Sequence, residues 1–62
     1  MKIDAAVKAA VKKEGHFTRK NFLGIAKIKP ANPCRLIDEK RGDVGAWNPG
    51  IEDLQAEDWI IS

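Results

Sequence analysis

The chain has one cysteine, one histidine, no tyrosine and no apolar run longer than three residues. Each shortage excludes something. Cys34 has no second thiol with which to close an intramolecular disulfide, and with His16 as the only other soft ligand it falls short of a structural zinc set. The short apolar runs leave no membrane-crossing segment. Asp4 and repeated lysines stand where a secretory leader needs its apolar stretch, so export is not expected, and a reducing cytoplasmic setting suits the free thiol. Hydroxyls are confined to Thr18 and Ser62. Asp38, Asp43, Asp53 and Asp58 lack the rhythm of a calcium loop and read as solvated or capping groups. His16 with Cys34 is the one pair that resembles a nucleophilic dyad, and the preferred reading is an exposed helix-end histidine beside a small buried thiol. No catalysis, metal or cofactor is expected.

What is present amounts to a single domain spanning residues 1–62. A chain this short hides only about 60% of its unfolded surface, so its core is small and self-association is a natural way to complete it. Charge is uneven along it. Residues 1–41 carry eleven bases and four acids, a net +7, whereas 42–62 carry five acids and no base, a net −5. One domain with such a sign change can stack against a copy of itself or offer a basic pocket to phosphates. At +2 overall it is far from a polycation, and nucleic acid is not the expected partner.

Ile3, Ala6, Val7, Ala10 and Val11 recur at helical spacing, which predicts a helix over about 3–14. Its apolar stripe is small-sided, so it should lie close against a sheet. Lys12 and Lys13 suit the helix end, with Gly15 as the left-handed residue beyond it. Thereafter the period shortens. Short strands are predicted over about 16–19, 24–29, 34–38, 44–47 and 58–61, with a helical turn at about 50–55. The charged stretch Asp38–Asp43 reads as a hairpin loop. In 24–29, Ile25, Lys27 and Lys29 share one side while Ala26 and Ile28 share the other. The sum is an α+β fold: one N-terminal helix packed on a small, mainly antiparallel sheet whose second face meets solvent or another subunit.

The aromatic inventory is Phe17, Phe22, Trp47 and Trp59. Trp59, in the most apolar strand, reads as core. Trp47 stands at a strand end between Gly45-Ala46 and Asn48-Pro49-Gly50, where a half-open ring can stack on a base. Thr18-Arg19-Lys20-Asn21-Phe22 joins guanidinium, ammonium, amide and ring within five residues, the groups that phosphate and base recognition use.

The helix, Gly15, Phe17-Thr18-Arg19, the aromatic at 22, the strand with Lys27, then Trp47-x-Pro49 and the closing Asp53-Leu54-x-Ala56-x-Asp58-Trp59 resemble the small phage and prophage proteins of the DUF2829 family. The likeness runs along nearly the whole chain, and its closing stretch is the most specific part. It departs from the family in two respects: Phe22 stands where tryptophan is more typical, and the central region is shorter. The resemblance implies a non-enzymatic protein of an infected or lysogenic bacterial host, one that sequesters cyclic ADP-ribose-type signals of the Thoeris immune system or related cyclic nucleotides. It also implies a homodimer or homotetramer with pockets where protomers meet. On that reading Trp47 and Phe22 stack on the base, Arg19 and Lys27 pair with the pyrophosphate, and Asn48 meets a base edge or sugar hydroxyl. The alternative is a phage accessory module that binds nucleic acid or a host protein.

Overall fold

In the computed structural model, which describes residues 1–62, the alanine and valine stripe forms α1 (Ile3–Lys13). Its inward residues Ala6 and Ala10 are completely buried, and Ile3 and Val7 pack beside them. Five strands follow: β1 (Phe17–Arg19), β2 (Ala26–Lys29), β3 (Arg35–Asp38), β4 (Gly42–Ala46) and β5 (Trp59–Ile61), with α2 (Ile51–Gln55) before the last. All pair antiparallel, in the order β4-β3-β2-β1-β5. The fold is α+β, with one main helix on an antiparallel sheet.

The helix ends one residue earlier than its sequence pattern suggests. Glu14, not Gly15, takes the left-handed conformation, at φ 55° and ψ 34°, and the backbone N–H of Gly15 then reaches back to the Ala10 carbonyl at 2.9 Å. Gly15 serves another purpose. A Cβ there would lie 3.3 Å from the Ser62 carbonyl oxygen, so its lack of a side chain lets the chain end pair with His16, whose backbone exchanges hydrogen bonds with Ser62 at 2.8 and 3.3 Å.

The hairpin between β3 and β4 is tighter than the charged stretch suggests. Asp38 accepts the backbone N–H groups of Lys40 and Arg41 at 2.8 and 2.9 Å, which fixes the turn and holds its carboxyl below the usual range. β4 therefore starts at Gly42, two residues before its predicted start, with Gly42 opposite Asp38. A register shift between Leu36 and Ile37 then places Gly45 opposite Leu36, and Gly45 takes a φ of 129° that a side chain would strain. Arg35 grips Asp43 across this pair with contacts of 2.9 to 3.1 Å.

Strand parity assigns the faces. Phe17, Ile28 and Trp59 point toward α1 and are wholly buried, with Cys34, Leu36, Trp47, Ala56 and Ile61 packed around them. Thr18, Lys27 and Ile37 alternate with inward residues and so take the face away from α1, where Thr18 is nonetheless closed in and donates its hydroxyl to the Ala26 carbonyl at 2.9 Å. No helix is long and apolar enough to cross a membrane.

Candidate functional site

β5 follows β4 in sequence but pairs with β1 on the far side of the sheet, and this crossover builds the most elaborate side-chain cluster of the molecule. Arg19 lies opposite Trp59 in the β1–β5 register. Its Nε donates to Asp58 Oδ1 at 3.0 Å and its Nη1 to Asp53 Oδ1 at 3.1 Å. The guanidinium carbon stands 6.0 Å from the centroid of the Trp59 ring, within cation–π range. Asp53 uses its other oxygen to accept the backbone N–H of Gly50 at 2.9 Å, which caps the first turn of α2. The Trp59 indole N–H donates to the Asp53 carbonyl at 3.0 Å. A five-residue helix is far too short to persist alone. Arg19 and Trp59 hold α2 to the sheet.

Trp47 completes the cluster from the other end of that connection. Its backbone N–H donates to the Cys34 carbonyl at 2.8 Å, one step past the end of β4. Its ring meets Trp59 edge to face at 5.9 Å and 78°, and Phe17 at 6.1 Å and 78°, while Phe17 and Trp59 meet at 5.4 Å and 62°. The Trp47 ring thus belongs to an aromatic trio and is half-buried, with Asn48 exposed beside it. Trp59 is the core residue that its apolar strand suggests.

The remaining predicted site residues lie elsewhere. Phe22 closes the single 3-10 turn Lys20–Phe22 and is half-buried, followed by the exposed Leu23 and Ile25. Lys27 takes the sheet face opposite α1, whereas Arg19, opposite Trp59, takes the face toward it. Within one chain, Arg19 and Lys27 therefore do not converge on a common pyrophosphate. Arg19 is also committed to two carboxylates, although its Nη2 donates to no protein acceptor. The two surface hollows, of about 260 and about 290 Å3, are lined by none of Arg19, Phe22, Lys27, Trp47 and Asn48. His16 and Cys34 share no hydrogen bond.

Asp53 does cap α2 as its position suggests, but the sequence alone does not show the joint hold of Asp53 and Asp58 on Arg19. The available signal is the acidic closing stretch, five acids without a base, so any ion pair it makes must draw its cation from elsewhere in the chain. The Arg19 hydrogen bond is the leading cause that holds the Asp58 carboxyl below its usual range. A carboxyl lowered in the folded state stabilises it above the unfolded value and loses that contribution as pH falls through the folded value. We predict that Arg19→Gln lowers the melting temperature at neutral pH and flattens its decline below about pH 4, the ordinary aspartate range. Asp38 and Asp43, also held low, leave a residual slope. Thermal melts between about pH 2 and 7, where these carboxyls titrate, measure this. Parallel curves for the two proteins would show that the clamp carries no linked protons.

Comparison with known proteins found no matching family, curated protein or solved structure.

Proposed function

We propose that the protein is a non-enzymatic homo-oligomer that sequesters a cyclic ADP-ribose-type signal or a related cyclic nucleotide where its copies meet. The observation that carries this reading is the placement of exposed apolar side chains. Of seven large exposed apolar residues, Leu23 and Ile25 follow Phe22 directly, and Ile51 and Leu54 lie on α2 just after Trp47 and Asn48. Both candidate stacking rings are thus followed in the chain by apolar side chains that a lone chain leaves in water. Burying them against another copy closes a site that one chain leaves open.

The residues that carry the family resemblance also support it. Arg19, Trp47, Asp53, Asp58 and Trp59 come from distant parts of the chain and form one unit. In the proposed site Trp47 and Phe22 stack on the base, and Asn48 meets a base edge or sugar hydroxyl. The two aspartates offset the charge of Arg19, so attraction for the pyrophosphate rests mainly on Lys27 of a neighbouring copy, with the free Nη2 of Arg19 as a directional donor.

Calorimetry against cyclic ADP-ribose isomers, cyclic dinucleotides and cyclic trinucleotides tests the reading. Saturable binding is expected, with unmodified ligand recovered after denaturation. Trp47→Ala should weaken binding about tenfold or more, because one base–ring stack contributes about 1–3 kcal/mol. Recovery of a hydrolysed product contradicts sequestration. Affinity for oligonucleotides that falls steeply with salt favours the nucleic-acid alternative.

A further inference from the structure

The end of α1 meets the start of β1 and the end of β2 around the hollow of about 260 Å3, and this hollow shares no residue with the site proposed above. Lys29 and His16 both line it. His16 immediately precedes Phe17 and Lys29 immediately follows Ile28, the pair that joins β1 to β2, so both come to the same end of these strands, near enough for the Lys29 charge to act on His16. Lys29 makes no ion pair and the His16 imidazole makes no hydrogen bond, so both donors are unspent. Beside them, Val11 and Pro30 supply an apolar wall, and Val11 is 59% exposed although it belongs to the apolar stripe of α1.

We propose that this hollow binds a phosphate-class anion, with the Lys29 ammonium and the His16 imidazolium as donors and the Val11 and Pro30 wall receiving the organic part of a phosphate monoester. Ammonium and imidazolium are the charge-assisted donors that tetrahedral oxyanions take, and the apolar wall favours an ester over the bare ion.

The charged groups around His16 act in different directions. Partial burial, then Lys27, then Lys29 hold its pKa below the ordinary 6.5, while Glu39 pulls the other way. An anion seated between His16 and Lys29 offsets the lysines and raises the His16 pKa. By linkage the anion binds more tightly to protonated His16, so affinity grows as pH falls below neutrality. Glu14 also lines the hollow. Its exposed carboxylate opposes an anion, and removing that charge should tighten binding.

His16 is the chain's one histidine, so its imidazole resonances report the site without ambiguity. The experiment titrates sulfate, whose charge is constant over the histidine range of about pH 5–8, and then phenyl phosphate, into the full chain while following those resonances. The expected result is a saturable shift, a raised His16 midpoint and tighter sulfate binding at the lower pH. Lys29→Gln should weaken sulfate about tenfold and Glu14→Gln should strengthen it, opposite signs that a loss of fold does not produce. Val11→Ser should weaken phenyl phosphate while leaving sulfate unchanged. Shifts that grow linearly with salt and are matched by chloride, or equal sulfate affinity in the Lys29→Gln protein, overturn the proposal.

Discussion

Trp59→Ala is expected to leave the protein largely unfolded at room temperature. The side chain is fully buried, meets Phe17 and Trp47 edge to face at 5.4 and 5.9 Å, and ties α2 down through its bond to the Asp53 carbonyl. Truncating a buried large aromatic costs about 3–5 kcal/mol, and edge-to-face pairs add about 0.5–1.5 kcal/mol each. A domain of this length has on the order of 3–9 kcal/mol of stability in total, so the loss is comparable to the whole. Trp59→Phe separates the contributions: it keeps a ring in the trio and loses the indole N–H, so it should remain folded but unfold at lower urea. Circular dichroism through a urea titration reads both. A Trp59→Ala midpoint indistinguishable from wild type would mean that the trio does not organise the core.

The second large effect comes from adding volume. Ala10 is completely buried on the face of α1 that lies against the sheet, as is Ala6 one turn earlier. The helix sits close because these positions are small. Ala10→Leu must push α1 off the sheet or force strained rotamers, at a cost of about 1–3 kcal/mol. Each kcal/mol moves the melting temperature of so small a domain by about 4–8 °C. Leucine has a slightly lower helix propensity than alanine, so no local gain offsets the clash. A thermal melt measures the drop. An unchanged or raised melting temperature would show that the helix–sheet seam has slack.

These two positions mark what the sequence made readable. The helical recurrence of Ile3, Ala6, Val7, Ala10 and Val11 announced both a helix and its close packing, because side-chain size speaks directly about distance. The strands were legible in number for a similar reason, since alternation and turn residues are local signals. Their boundaries depended on what local signals omit. β4 begins at Gly42 because Asp38 captures two amides of the turn, and Glu14, not Gly15, is the left-handed residue, while Gly15 makes room beside Ser62.

The candidate site was only partly legible. Trp47 and Arg19 were singled out for their chemistry, and both do flank Trp59. That Arg19 would be held by Asp53 and Asp58, 34 and 39 residues away, depends on β5 crossing to the edge beside β1, and no spacing along the chain encodes that choice. The opposite faces of Arg19 and Lys27 follow from the β1–β2 register that sets Phe17 against Ile28. The proposed phosphate grip, if it uses both Arg19 and Lys27, would therefore need a second copy.

Native mass spectrometry in the presence of a cyclic ADP-ribose isomer tests that requirement most directly, because one spectrum reports both assembly and ligand. The account predicts a dimer or tetramer of the 6.9 kDa chain that carries nucleotide of unaltered mass. A 6.9 kDa monomer without bound nucleotide, at concentrations where the fold is intact, would contradict it.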